Sequence, residues 1–415
     1  MPPISFDGKN WDKRFSIFNR IFVFYGTIFK KNFSYNSWEY NLLIILKHLI
    51  VLILFPFYTP VILIFKIFNL KIIHVDFTQF GAVIHHVDFL IKQNKLYKKP
   101  KKLILLAPHY LVVNKYLANV FKKEVFVSES FLFYLILYPL MHYNLTSVEA
   151  WDAETTNKKN TYNIVHKNYN LKNGSYFLNI YDGHIPKINY IKYLSEYGLN
   201  EKNFVCIHLR DPAYYNYNSC RDVEIESYVS AINFLIERKI SVVRFVHKNS
   251  KSIKSLNNKF YHEYTVDNDI NKSVQYYLIK NSKFVICTQS GIYNLNSLFD
   301  VPFFLTNAIP VNICGVVKPQ DRIIIKKFKY KNTNKFLKIH DIINKDLNTL
   351  PEFNITKHNI EIVDNTNYEI LDGVKEILNN INEGNYLNNR CAYNELVKYH
   401  PFNCTDAFIP RNFKI

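Results

Sequence analysis

Three polar side chains, His208, Arg210 and Asp211, follow directly after the apolar run 204–207. The run predicts a buried strand, and open α/β sheets bind ligands at the carboxyl ends of their strands. A guanidinium fork matches a phosphate in bidentate fashion, so Arg210 is a candidate phosphate ligand. His208 is a candidate hydrogen-bond donor. Asp211 is a candidate to orient Arg210, to bind sugar hydroxyls or to act as a catalytic base. The alternative is a surface Arg–Asp pair beside a core histidine.

A second arginine stands before a helix predicted over 223–239. Arg221 would lie near the positive end of that helix, where a cation is unfavourable unless an anion also binds there. Arg221 is therefore a second candidate ligand. Asp222 occupies a good N-cap position, and simple capping of the helix is the competing interpretation for it.

The segment 287–294 predicts a strand, a small polar loop and a helix start. Its loop residues would direct hydroxyl and backbone N–H groups at an anion on the helix N-terminus. A glycine there permits close approach of the backbone to a phosphate. The alternative is a capped turn with Ser290 as N-cap. The candidate ligands in this loop are Thr288, Gln289, Ser290 and Gly291.

Other candidates follow neighbouring elements. His247 and Lys248 end the strand 241–246, and Asn307 and Pro310 end the last strand of the same series. These residues are predicted to contact or shape a nucleotide pocket, although a solvated basic loop also explains the first two. His85 and His86, in a helix predicted over 80–94, are candidate catalytic bases, and Asn114-Lys115 opens the next helix. No metal-site spacing is convincing, so no metal and no cofactor beyond a nucleotide-sugar substrate are predicted, with arginine and helix dipoles neutralising the phosphate.

Strands and helices alternate along most of the chain. Predicted strands lie at 71–77, 101–108, 124–129, 204–209, 241–246, 283–288 and 301–307, with an edge strand at 323–325 and C-terminal helices at 367–383 and 389–399. This alternation predicts an α/β fold with two Rossmann-like, doubly wound sheets. The predicted parts are a hydrophobic N-terminal helical segment over 1–70, an acceptor domain over 71–195 with a polar, irregular stretch from 145 to 200, and a nucleotide-sugar domain over 196–415.

Charge and hydropathy point to a membrane surface. The chain of 415 residues has a formal net charge of +18, and residues 1–130 hold 18 Lys and Arg against 7 Asp and Glu. The apolar stretch 41–68 is interrupted by Lys47, His48, Pro56 and Pro60, which favours monotopic attachment over a span or a buried helix pair. No nucleic-acid-binding signature is present. The six scattered cysteines and the polar N-terminus predict a reduced protein of the cytoplasm, peripheral or monotopic on the inner membrane.

Three segments carry a resemblance to a known family: FVCIHLRDPAYY (204–215), the stretch from Arg221 to Arg244, and FVICTQSGIYNLNSLFDVPFFLTNAIP (284–310). They resemble bacterial glycosyltransferases encoded at surface-polysaccharide loci. The H-x-R element is also similar to that of GDP-fucose-using fucosyltransferases, in which the arginine holds the donor's diphosphate. The resemblance implies a GT-B fold with the donor on the C-terminal half, and Arg210 and Ser290-Gly291 near its phosphates. Asp211-Pro212 departs from the glycine-aspartate of the fucosyltransferases.

Together these observations predict a metal-independent glycosyltransferase of the cytoplasmic membrane face. It would move a sugar from a nucleotide-diphosphate sugar to a glycan or lipid-linked acceptor of capsule or lipopolysaccharide, beside an anionic membrane surface and without a nucleic-acid partner. Two alternatives stay open. One is another transferase of polysaccharide assembly, moving a pyruvyl or phosphosugar group, and the other is a non-catalytic membrane scaffold of the same pathway.

Overall fold

A computed structural model describes residues 56–73, 75, 80–108, 114, 116–142, 147–148, 161–181, 187–211, 219–253, 256–309, 318–345, 347, 355 and 357–384. Several predictions lie outside these residues, namely the helix at 389–399, the first part of the apolar stretch 41–68, and roles for Lys115 and Pro310.

The first half of the chain forms a sheet of four parallel strands, in the order β3-β2-β1-β4. The strands are β1 (Leu70–Ile73), β2 (Lys102–Leu106), β3 (Phe126–Ser128) and β4 (Ser147–Val148). Successive side chains of a strand point to opposite faces. Ile73 and Leu105 therefore enter the main core, whereas Ile72, Ile104 and Leu106 enter a separate cluster on the other face.

The helices around this sheet are α1 (56–67), α2 (Phe80–Leu96), α3 (Phe131–His142) and α4 (Thr161–Asn173). The next helix, α5 (Lys187–Glu196), packs instead against the second half of the chain, where Tyr190 stacks on Tyr277. Pro60 lies within α1 and does not end it. Two expectations were wrong. The helix predicted after β2 is only a short 3₁₀ turn, Ala118–Phe121, in its described part. The stretch predicted to be irregular contains α4 and α5, because their buried contacts form with distant segments and leave a weak apolar period in the sequence.

None of the helices in the described ranges is both long and apolar enough to cross a bilayer.

The second half forms a sheet of six parallel strands, ordered β10-β9-β8-β5-β6-β7. They are β5 (Phe204–His208), β6 (Ser241–Val246), β7 (Tyr261–Thr265), β8 (Val285–Cys287), β9 (Phe303–Ala308) and β10 (Arg322–Ile325). The chain winds outward from β5 to β7 and then returns to place β8 on the other side of β5. This is the Rossmann strand order, with its switch point between β5 and β8.

The prediction of two Rossmann-like α/β sheets is thus confirmed, and so is the edge strand at 323–325. The sequence missed β7, because YHEYT is a half-exposed edge strand and not an apolar run.

The helices of this half are α6 (Val229–Glu237), α7 (Asp269–Asn281), α8 (Ile339–Asn344) and α9 (Asn367–Glu383). Two 3₁₀ helices, Ile225–Tyr228 and Gly291–Ser297, follow the exits of β5 and β8. An antiparallel pair, β11 (Lys327–Tyr330) and β12 (Ile360–Val363), connects the sheet to α9.

The predicted C-terminal helix at 367–383 is confirmed as α9, and its boundaries have a local cause. Thr366 and Glu369 form a capping box at its start, and Gly384 ends it with φ 64°. Inside α9, Gly373 lies against the buried ring of Phe304 in β9. A Cβ added to Gly373 would stand 2.1 Å from Cζ of that ring.

Gly373→Ala is therefore expected to destabilise the protein by about 1–3 kcal/mol, through overpacking. In an ordinary helix interior the same change stabilises by up to about 1 kcal/mol, so the sign of the effect is diagnostic. Urea unfolding measures it. Comparison in a Phe304→Leu background provides the control, because the shorter side chain should relieve most of the clash. A stabilised Gly373→Ala protein would contradict the packing described.

Candidate functional site

The exits of β5 and β8 are joined to each other at the switch point. The backbone N–H of Arg210 donates to Oγ1 of Thr288 at 2.8 Å, and the N–H of Thr288 donates to the carbonyl of His208 at 3.1 Å. Oγ of Ser290 lies 3.0 Å from Nδ1 of His208. The structure therefore brings four of the predicted residues together, at the place where parallel α/β sheets bind ligands.

The Arg210 guanidinium is engaged by a buried carboxylate. Its Nε donates to Oδ1 of Asp222 at 2.9 Å, and both side chains are buried. The other oxygen of Asp222 accepts the backbone N–H of Ser219 at 2.7 Å. The interpretation of Asp222 as a helix cap is wrong, because residue 224 occupies the N-cap position and no side chain caps that 3₁₀ helix. Asp222 instead holds Arg210 and offsets its charge.

Arg221 has a different environment. It is half-buried in the turn beside the Arg210–Asp222 pair, and its backbone N–H donates to Ser219 Oγ at 3.4 Å. Within the described ranges, no hydrogen bond or ion pair holds its guanidinium. A cation that is partly desolvated and lacks a described counter-ion is well suited to bind an anionic ligand.

The exit of β6 contributes a loop to the same edge of the sheet, since β6 pairs with β5. Oδ2 of the buried Asp211 accepts the backbone N–H of Lys251 at 3.2 Å, which ties the two exits together. The backbone N–H of His247 donates to Ser250 Oγ and that of Lys248 to Asp267 Oδ1, at 3.1 and 3.3 Å. Burial lowers the pKa of His247. Asp211 thus positions this loop, whatever further role it has.

Two predicted ligands have structural roles instead. Oε1 of the buried Gln289 accepts the backbone N–H of Ile309 at 2.7 Å and so joins the exits of β8 and β9. Asn307 is fully buried at φ 51°; its Nδ2 donates to the Tyr228 hydroxyl at 3.0 Å, and its Oδ1 accepts the backbone N–H of Asn365 at 2.7 Å. Because the amide and carbonyl groups of its side chain are both bonded inside the protein, Asn307 has a structural role, and the prediction that it binds a ligand is corrected.

Asn114 has a comparable role in the other half. Its side chain is fully buried, and its Nδ2 donates to the Tyr276 hydroxyl at 3.0 Å. Because Tyr276 belongs to α7, Asn114 links the first half of the chain to the second and is not a surface ligand.

Gly291 makes its close approach to another glycine. A Cβ on Gly291 would lie 3.1 Å from the backbone nitrogen of Gly81, and a Cβ on Gly81 would lie 3.0 Å from Cα of Gly291. Nδ2 of Asn294 also donates to the Gly81 carbonyl at 3.2 Å. The Cβ side of Gly291 is thus packed against the first turn of α2. Gly291 joins the two halves of the molecule.

Further along α2, the same seam contains a fully buried ionic cluster, made of Asp88, Lys92 and His166. Nζ of Lys92 lies 3.0 Å from Asp88 Oδ2 and from His166 Nδ1, and it donates to the carbonyl of Ser297 at 3.1 Å. An ammonium group only donates, so His166 Nδ1 is the acceptor and the ring proton is on Nε2. Burial lowers the pKa of His166 well below its usual value, which is consistent with a neutral ring.

The predicted bases His85 and His86 belong to this region of α2. Their rings meet edge to face, with centroids 5.5 Å apart, and both are half-buried. His85 is one helical turn from Gly81 and shares a helix face with Asp88 and Lys92, since residues three and four apart are neighbours. His86 lies off that face. Neither the contacts of His85 nor those of His86 assign a proton transfer to it.

The clustering of Asp88, Lys92 and His166 was not predicted from the sequence. The only signal was the i, i+4 spacing of Asp88 and Lys92, which usually indicates an exposed helix pair. In the described part of the chain, no group of His, Cys, Asp and Glu side chains is arranged to hold a metal ion.

The cluster gives a stability prediction. Lys92→Met would leave Asp88 buried without its ammonium partner, so a loss of about 3–5 kcal/mol is expected from urea unfolding. Removing both charges in Asp88→Leu/Lys92→Met should cost much less than the sum of the single changes, because no uncompensated charge remains. If the double variant lost as much free energy of unfolding as the two single variants together, the two side chains would not interact.

His208 gives a pH prediction. Burial, with smaller effects of the His247 and Arg210 charges, lowers the pKa of His208 from 6.5 to about 3. Between these values the unfolded chain binds more protons, so the free energy of unfolding falls as the pH drops from 6.5 towards 3, by up to about 1.4 kcal/mol per pH unit for one histidine. His208→Asn is expected to flatten this dependence in urea titrations. The exposed His340→Asn should leave it unchanged, and equal slopes in all three proteins would contradict the assignment.

Comparison with known proteins gives only distant likenesses. No protein-family model and no curated protein matches the chain. Among solved structures, the family 9 glycosyl transferase from Veillonella parvula matches with 10% identity and a TM-score of 0.37, covering 57% of this chain and 79% of its own. The E. coli heptosyltransferase WaaC with ADP matches with 8% identity and a TM-score of 0.36, over 69% and 99% of the two chains. The E. coli ADP-heptose heptosyltransferase II matches with 10% identity and a TM-score of 0.37, over 62% of this chain and 90% of its own.

Proposed function

We propose that this chain is a glycosyltransferase that moves a sugar from a nucleotide-diphosphate sugar to an acceptor hydroxyl. The observation that carries the proposal is the switch point of a Rossmann-ordered sheet with Arg221 beside it. Polar groups from β5 and β8 converge there, and Arg221 supplies a cation without a described counter-ion. A nucleoside diphosphate is the leaving group of such a transfer, and its negative charge grows as the bond to the sugar breaks.

The charges at the site give the predicted residues different roles. The carboxylate of Asp222 offsets the Arg210 charge, so Arg210 would orient the loop beside the ligand. His208 is neutral at physiological pH and adds no positive charge. Arg221 is therefore the principal phosphate ligand in this proposal, with the Ser290 hydroxyl as a further donor. Arginine rather than a divalent cation would then stabilise the departing phosphate.

The acceptor side of the proposal rests on the sequence. A base must take the proton of the acceptor hydroxyl, and Asp211, His85 and His86 stay the candidates. The proposed acceptor is a glycan or lipid-linked precursor of capsule or lipopolysaccharide at the cytoplasmic face of the inner membrane. The concentration of positive charge in residues 1–130 supports a location beside anionic lipid.

Isothermal titration with ADP, GDP and UDP tests the donor site. One of these nucleotides is expected to bind, and Arg221→Ala should raise its Kd about tenfold or more, the equivalent of about 1.4 kcal/mol. Arg238→Ala is the matched control, because the exposed Arg238 guanidinium stacks on Phe234 in α6 and, among the described residues, hydrogen-bonds only to the Phe234 carbonyl. Failure of all three nucleotides to bind at millimolar concentration would refute the proposal.

A further inference from the structure

Helix α1 is apolar on two opposite faces. Tyr58, Val61, Ile62 and Phe65 pack onto the first sheet. The outer side exposes Phe57, Leu63, Ile64, Ile67 and, just past the helix end, Phe68; Phe57 and Ile67 are each 75% exposed. A helix that is apolar all round normally has a second apolar environment.

Helix α3 extends the same surface. Its Leu137 and Leu140 are buried in one cluster with Phe65 of α1, on the sheet face formed by Ile72, Ile104 and Leu106. The two helices therefore cover the same side of the sheet. Outward, α3 exposes Leu132, Phe133 and Ile136. We call the exposed side chains of the two helices the apolar face: Phe57, Leu63, Ile64, Ile67, Phe68, Leu132, Phe133 and Ile136.

Lysines border one end of this face. Burial and the charges of Lys101 and Lys66 lower the pKa of Lys71, so these three cations lie close together. The loop 97–102 is held against the end of α1, because Lys102 N–H donates to the Asn69 carbonyl at 2.9 Å and Asn69 Nδ2 to the Pro100 carbonyl at 3.2 Å. We call these lysines the basic rim: Lys66, Lys71, Lys98, Lys99, Lys101 and Lys102.

No acidic residue interrupts the rim in the sequence, since 56–75 and 89–123 contain neither Asp nor Glu. Crowded cations of this kind repel each other, and an anionic surface relieves that repulsion. The apolar face and the basic rim thus meet the two requirements for binding at a lipid interface, which are apolar area and attraction to anionic headgroups.

We propose that the apolar face and the basic rim bind an anionic phospholipid surface. Helices α1 and α3 lie in the interface, and the lysines reach the headgroup phosphates. This inference deepens the proposed function, on whose membrane location it rests, by naming the lipid and the residues that bind it. The apolar residues 41–55, directly before α1, continue the same character along the chain.

Cosedimentation with vesicles tests the proposal in the full-length protein. Wild type should bind vesicles of mixed phosphatidylglycerol and phosphatidylcholine and bind phosphatidylcholine vesicles much more weakly. Leu132→Gln/Phe133→Gln/Ile136→Gln should lower partitioning at least about tenfold, through lost apolar burial. Lys98→Gln/Lys99→Gln/Lys102→Gln should lower it about a hundredfold at low salt, because each lysine changes partitioning about fivefold. Both variants should keep the far-ultraviolet circular dichroism spectrum of the wild type.

The matched control is Leu171→Gln/Ile188→Gln, which removes two apolar side chains exposed by 74% and 83% on other helices. It should bind vesicles as wild type does. If the wild type bound both vesicle types equally, the proposed preference for anionic lipid would be wrong. If the α3 variant bound as the wild type does, the proposed role of the apolar face would be wrong. If the wild type did not bind vesicles and sedimented as a dimer, the apolar face would instead be the contact surface for a second copy of the chain.

Nucleotide titration of the same variants separates this inference from the donor site. Reduced vesicle binding with an unchanged nucleotide Kd supports the lipid surface on its own. Absence of nucleotide binding in wild type refutes the donor site and leaves the vesicle result standing. If the α3 variant lost both vesicle binding and nucleotide binding, the substitutions would have damaged the fold, and the proposed surface role would be overturned.

Discussion

The backbone contact between Gly81 and Gly291 is the constraint on which the candidate site depends. Gly81 lies in the first turn of α2, and Gly291 follows Ser290 at the exit of β8. A Cβ on Gly81 would stand 2.8 Å from Nδ2 of Asn294 and 3.0 Å from Cα of Gly291, so a larger residue at either glycine would push the two segments apart. The contact fixes the helix of the first half against the loop after β8, and with it the position of His85 relative to Ser290.

The seam beyond the glycines is polar for a physical reason. The 3₁₀ helix that begins at Gly291 ends inside the protein, where its last carbonyl groups need donors. Lys92 donates to the carbonyl of Ser297 from one side. Lys318 donates to the carbonyls of Asn296, Phe299 and Val301 from the other, at 3.0, 2.9 and 2.7 Å. Each buried ammonium then requires a carboxylate, and Asp88 and Asp321 provide them.

At the switch point, charge neutralisation changes the expected roles of the arginines. A phosphate ligand was predicted at Arg210, but a buried guanidinium is stable only beside a counter-ion, and Asp222 is that counter-ion. Arg221 lies next to this pair in the chain. Among the described residues at the switch point, the charge that no carboxylate offsets is therefore that of Arg221, and the half-buried His208 acts as a hydrogen-bonding partner of Ser290.

The sequence alone determined the elements whose signals are local. Strand 241–246, the edge strand at 323–325 and helix 367–383 follow from apolar runs, helical periodicity and a capping box, which need no distant partner. It also placed His208, Arg210, Thr288 and Ser290 at one sheet edge, because parallel strands share their carboxyl ends. The structure alone decided the partners: Asp222 for Arg210, Gly81 for Gly291, Asn365 for Asn307, and a buried cluster for Asp88 and Lys92. These pairings join residues far apart in the chain or depend on burial. Neither the order of the residues nor their periodicity shows which surfaces become buried against each other.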